Sequence, residues 1–170
     1  ALAKILPALR KDFPIPIMVV QHISASSDSY LVDYLDKMTQ VKVKEAESNE
    51  FLKPGIVYFA PPDYHLLIED DFTISLSTSE KVNYSRPSID VLFETASWTY
   101  KSTLIGLVMT GANWDGAFGL KTIKNAGGYA IVEDPSTAAV PRMPEAAIEL
   151  AKPDLILKLE DIGKELNQMV

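Results

Sequence analysis

Apolar residues at Leu2, Ile5, Leu6 and Leu9 recur with the 3.6-residue period of a helix at the head of the chain. Pro14 and Pro16 break that rhythm. Residues 15–20 (Ile15-Pro16-Ile17-Met18-Val19-Val20) then form an almost unbroken apolar run of the kind a buried strand presents. Helical spacing returns with Tyr30, Leu31, Tyr34, Leu35 and Met38, while Asp28, Asp33, Asp36 and Lys37 fall on the opposite, water-facing side. Ser26-Ser27-Asp28 is the start signal of that helix. A β-rich middle follows. Val41 and Val43 alternate with lysines, Pro54-Gly55 makes a turn, and residues 56–60 read as a buried strand. Residues 66–68 and 72–76 predict a hairpin joined at Asp70-Asp71.

Pro87 opens a predicted helix through Trp98, with Ile89, Leu92, Phe93 and Ala96 facing inward. Residues 104–109 are a second apolar strand, which ends in a loop holding Gly111 and Gly116. The helix after it has Ala117, Phe118, Leu120 and Ile123 as its apolar positions and stops at Gly127-Gly128. A strand over 129–132, a proline-marked extended loop (Pro135, Pro141, Pro144), a short helix over 145–150, a strand over 155–157 and a closing helix over 162–169 complete the chain. Strands and helices alternate at both ends. The fold class predicted is α/β: a doubly wound, mainly parallel sheet flanked by helices, with an antiparallel hairpin insertion.

The chain has 170 residues, enough for one well-filled domain, and no linker, repeat or low-complexity tract divides it. Neither long apolar run approaches the roughly 20 residues a membrane helix needs, and no signal peptide is visible. With no cysteine, disulfides, thiolate metal sites and a cysteine nucleophile are all excluded, which fits a cytoplasmic protein. The formal charge is −7. Sixteen basic residues are scattered among 23 acidic ones without a basic run, which argues against binding to nucleic acid or anionic lipid.

Two strand ends carry the candidate chemistry. The first apolar strand runs into Gln21-His22, and the loop after the second places Asp115 just before a helix. Open α/β folds bind ligands at such carboxyl edges. An imidazole and a carboxylate there are the two supporting members of a nucleophile–His–Asp relay, although Asp115 could equally serve as a helix cap. His65, inside the hairpin region, reads as structural or surface. A phosphate cradle at residues 110–119 is disfavoured, because the loop lacks the lysine of a P-loop and Asp115 would repel the anion. Two histidines some 40 residues apart offer no metal-ligand spacing, so neither metal nor cofactor is expected.

Several segments together resemble the CheB family of chemotaxis protein-glutamate methylesterases. They are Gln21-His22, Glu45-Ala46-Glu47, Leu52-Lys53-Pro54-Gly55, Tyr58-Phe59-Ala60-Pro61-Pro62-Asp63-Tyr64-His65 and Arg86-Pro87-Ser88-Ile89-Asp90-Val91-Leu92-Phe93. Thr110-Gly111-x-x-x-Asp115-Gly116-Ala117, Ala126-Gly127-Gly128 and Met143-Pro144-Glu145-Ala146-Ala147 complete the series, in family order across almost the whole chain. The resemblance implies a Ser–His–Asp triad in which His22 and Asp115 are the catalytic histidine and aspartate. It also implies a chemoreceptor as protein substrate, hydrolysis of glutamate γ-methyl esters, deamidation of receptor glutamines, and a regulatory receiver domain outside this chain.

The family's nucleophile is the serine of a Gly-Ala-Ser-x-Gly-Gly loop between the first strand and the first helix. Residues 1–9 match that helix, so the resemblance places the strand and the serine upstream of Ala1, in a single catalytic domain over 1–170. Ser24, Ser26 and Ser27 lie on the far side of the His22 strand and lack a glycine elbow; none is read as a substitute. Where the family loop commonly has Gly-Met-Gly, this chain has Gly111-Ala112-Asn113, and the backbone N–H of Ala112 inherits an oxyanion role from that methionine. The competing reading is a degenerate, non-catalytic interaction domain of the same fold.

Overall fold

Two prolines set where the first strand begins. The structure, a computed structural model, describes residues 1–22 and 30–170. In it β1 (Ile17–Val19) starts only after Pro16, shorter than the apolar run suggests, because proline cannot donate to a ladder. β1 runs parallel to β3 (Ile56–Phe59), which is also parallel to β2 (Lys42–Glu45), so that Val57 stands between Ile17 and Val43. α1 (Leu2–Ile5) tightens into a 3₁₀ turn over Leu6–Ala8.

α2 (Tyr30–Met38) is rotated relative to the sequence expectation. Leu35 is fully buried, but Tyr30, Tyr34 and Met38 are exposed. The two tyrosines stack on each other outside, ring centroids 6.1 Å apart. Asp36 turns partly inward, accepting the Val43 amide and the Lys42 ammonium at 2.7 Å each. The predicted start signal of this helix, Ser26-Ser27-Asp28, lies outside the described residues.

β4 (His65–Ile68) and β5 (Ile74–Ser77) form the antiparallel pair. Phe72, expected in the second strand, sits in the turn at φ 65° and packs edge-on against Tyr100. α3 (Ile89–Tyr100) begins two residues after Pro87, which precedes the cap residue Ser88 and is not in the first turn. β6 (Ile105–Val108), β7 (Tyr129–Glu133) and β8 (Leu155–Leu157) form a second parallel ladder, with β7 in the middle. α4 (Ala117–Asn125), α5 (Arg142–Ala151) and α6 (Leu159–Met169) accompany it. α5 starts before Pro144 because a first-turn residue has no intrahelical partner for its amide, so proline is tolerated there.

The fold is therefore mostly parallel strands flanked by helices, plus one antiparallel pair. Among the described strands no hydrogen-bonded pair joins the β1–β3–β2 ladder to the β6–β7–β8 ladder. Three apolar clusters bind the elements. One lies under α1, α2 and α6 around Leu35, Val43 and Val57; one between β3, the hairpin and α3 around Tyr58 and Leu66; one between β6, β7, α4 and α5 around Leu120 and Val132. No helix among the described residues is long and apolar enough to cross a membrane.

Candidate active site

His22 lies three residues beyond β1 and Asp115 in the loop after β6, so each ladder delivers one side chain from its carboxyl end. They meet. His22 Nε2 and Asp115 Oδ2 are 2.7 Å apart, with the carboxylate fully buried and the imidazole about a quarter exposed. The pair predicted from two strand ends is thus brought into contact across 93 positions.

Asp115 does not cap its own helix. Its carboxylate serves α3 instead, accepting the Ile89 amide at 2.6 Å on Oδ2 and the Asp90 amide at 3.2 Å on Oδ1. Oδ1 also takes the Ser88 hydroxyl at 2.8 Å and the Asn83 side-chain amide at 3.1 Å. This explains why Ser88 makes no side-chain cap of its own: its hydroxyl is committed to Asp115. Asp90, in the first turn of α3, returns the arrangement. Its Oδ1 accepts the Gly116 and Gly119 amides at the start of α4, at 3.0 and 2.6 Å. The two helix N-termini therefore exchange carboxylate caps, each relieved of unpaired amides by the other.

The two acids differ electrostatically. Burial pushes Asp115 up, but the hydrogen bonds from His22, Ile89, Ser88 and Asn83 outweigh it and hold the carboxyl below its usual range. Asp90 goes the other way. Burial raises it, helped by the neighbouring Asp115 charge, and the amides of Gly119, Asn83 and Gly116 compensate only in part.

The loop geometry depends on Gly116. Its φ of 98° is in the left-handed region, and an added Cβ would stand 2.9 Å from Ile89 Cγ2. Behind the loop, Thr110 donates its amide to the fully buried Glu133 at 2.9 Å and exchanges hydrogen bonds with Val140 through its hydroxyl. Ala112 is exposed in this loop, and its N–H donates to none of the described residues.

His65 is fully buried, which excludes the surface reading and leaves the structural one. Its Nε2 donates to the Glu80 carbonyl at 2.9 Å, and its Nδ1 accepts the Ser88 amide at 3.2 Å, so it steadies the residue that bonds Asp115. Ser88, Asp90 and Asn83 were not singled out by sequence reasoning. The first two lie in the Arg86-Pro87-Ser88-Ile89-Asp90 segment, where polar residues alternate with apolar ones at a helix start, which is a usable signal; Asn83 has none in the pattern. A cavity of about 810 Å³ opens beside the site, lined by Asn83, Asp90, Trp114, Phe118, Glu149 and Leu150 among others. No group of three or more His, Cys, Asp or Glu among the described residues could hold a metal ion.

Together these features define a parallel α/β domain that presents a buried, clamped carboxylate and a partly open imidazole at its strand ends. A family model described as CheB methylesterase matches residues 1–166, and the chain belongs to the CheB methylesterase family. A relative from Leptospira interrogans is 56% identical over 164 residues, covering 96% of this chain and 85% of its own length. One from Thermotoga maritima, named protein-glutamate methylesterase/protein-glutamine glutaminase, is 38% identical, covering 100% of this chain and 50% of its own length. The crystal structure of the Thermotoga maritima CheB methylesterase catalytic domain superposes with a TM-score of 0.95 at 38% identity, over 99% of this chain and 91% of that one. The chain thus spans most of the Leptospira relative and about half of the Thermotoga one.

Proposed function

We propose that this domain hydrolyses glutamate γ-methyl esters on chemoreceptors, and deamidates receptor glutamines by the same attack, through a Ser–His–Asp triad. The observation that carries the reading is the 2.7 Å contact between His22 Nε2 and the buried Asp115. The names of the relatives supply the substrate class. In this reading a serine from a strand upstream of Ala1 attacks the γ-carbonyl. Among the described strands β1 and β6 stand at the edges of their ladders, and His22 and Asp115 follow them in the chain, which supports the placement of that strand between them.

Because Asp115 occupies Nε2, Nδ1 of His22 is the nitrogen left to receive the serine proton. It then passes the proton to departing methanol, or to ammonia from a glutamine, and in the second half-reaction it activates water to release the glutamate. Asp115 holds the tautomer with the proton on Nε2 and stabilises the imidazolium. The Ala112 N–H is the backbone donor offered to the oxyanion, a contribution worth roughly 3 kcal/mol in comparable sites.

Methanol release from methylated receptor tests the reading in the full-length protein with its serine loop. His22→Ala abolishes turnover, and Asp115→Asn lowers kcat by a factor on the order of 10⁴, as in the serine-protease precedent. The 170-residue chain alone releases no methanol. Turnover by that chain, or a silent Asp115→Asn, overturns the triad; a full-length protein that releases no methanol favours a non-catalytic domain of the same fold.

A further inference from the structure

The two buried carboxylates at the crossing of α3 and α4 are joined through one side chain. Asn83 Nδ2 lies 2.8 Å from Asp90 Oδ2 and 3.1 Å from Asp115 Oδ1. A side-chain amide nitrogen carries two hydrogens, and each is directed at a different acid. The orientation of the amide follows from its surroundings, since the oxygen in that place would face two carboxylates and no donor.

Holding Asn83 there takes a specific backbone. Its φ is 51° and that of Tyr84 is 61°, two successive left-handed residues that are not glycine. The segment is pinned around them. Val82 and Ser85 pair by backbone hydrogen bonds in both directions, and Arg86 ties Asp63 to the carbonyls of Thr78 and Ser79. Asn83 is half-buried and reaches no other carboxylate among the described residues, while Asp115 has four other donors and Asp90 has two backbone amides.

We propose that Asn83 is a positioning residue for the His22–Asp115 pair, a neutral bridge that lets two buried carboxylates stand side by side while Asp115 keeps the face it turns to His22. Without the bridge, like charges share a buried site with nothing between them, and the arrangement relaxes by moving Asp115 or by taking up a proton. Either change loosens the hold on His22 Nε2. This inference rests on the methylesterase reading for its kinetic arm but not for its spectroscopic one.

The test uses the full-length protein and two variants. Asn83→Gly keeps the left-handed backbone and deletes the amide; Asn83→Asp keeps the shape and replaces two donors with a third acid. In the wild type, ring ¹⁵N shifts of His22 at neutral pH are expected to report a proton held on Nε2. In both variants the two ring nitrogens are expected to move towards averaged values. Turnover should fall about tenfold to a hundredfold in kcat, the range implied by losing a hydrogen bond to a charged group, with KM within about twofold because the loss is in the reacting state. Asn83→Asp should be the worse of the two. Wild-type ¹⁵N shifts and kcat in both variants, whatever their melting temperatures, overturn the proposal. If the wild type itself releases no methanol, the kinetic reading fails, while the ¹⁵N shifts still decide the role of Asn83.

Discussion

Asp115 sits at the meeting point of five donors, and its ionisation is coupled to folding. Its carboxyl lies below the ordinary range in the native state. Just below the unfolded value, therefore, the unfolded chain binds more protons than the native one, and stability rises with pH. The contribution is complete above the unfolded carboxylate value and is lost as pH falls through the native one. Asp90, raised by burial, acts with the opposite sign. The difference between wild type and Asp115→Asn isolates the first effect. Urea midpoints should show the wild type losing more stability than the variant between about pH 5 and pH 2; parallel curves would mean that Asp115 is not held ionised by its donors. Sequence alone could reach His22 and Asp115 because each ends an apolar strand. It could not reach Asn83, whose role depends on a turn conformation and on two acids 7 and 32 positions away.

At the scale of elements, the site is a crossing of two helix N-termini. α3 takes its cap from Asp115, two residues before α4, and α4 takes its cap from the first turn of α3. Gly116 stands against the start of α3, with no room for a Cβ beside Ile89. Gly116→Ala is expected to destabilise the protein by about 1–3 kcal/mol, from the left-handed φ and from forced displacement of Ile89. Because the flanking Asp115 moves with the loop, kcat should fall in a variant that is still fully folded at the assay temperature. A thermal melt paired with a methanol-release assay reads both, and an unchanged kcat would show that the loop tolerates the shift. Helix existence was legible here from spacing. Helix starts were not: proline at 87 suggested a first turn, but capping by a distant carboxylate decides that α3 begins at Ile89. In the same way Pro144 looked like loop and proved to lie in the first turn of α5.

At the scale of the whole fold, helices far apart in the sequence, α1 and α6, are brought together. α6 packs across α1, and Arg10 donates to the carbonyls of Asn167 and Val170 at 3.0 Å each, while Asn167 reaches back to the Ala8 carbonyl at 2.8 Å. That closure covers Leu6 and Leu9, in the cluster that also buries the inner side of β1, the strand that leads to His22. Hydrophobic spacing marked both terminal helices, yet nothing in it shows that they touch, since the contact depends on a small residue. Gly163 is the place of closest packing: an added Cβ would lie 2.7 Å from Ala8 Cβ and 3.1 Å from the Ile5 carbonyl. Gly163→Val is therefore expected to overpack the contact and cost about 1–3 kcal/mol, lowering the melting temperature by about 2–4 °C per kcal/mol. Arg10→Ala removes exposed hydrogen bonds and should cost less than about 1 kcal/mol. Neither residue touches the His22–Asp115 pair, so kcat at 25 °C should be that of the wild type in both. The close packing of α1 against α6 would be contradicted by a Gly163→Val protein that melts at or above the wild-type temperature.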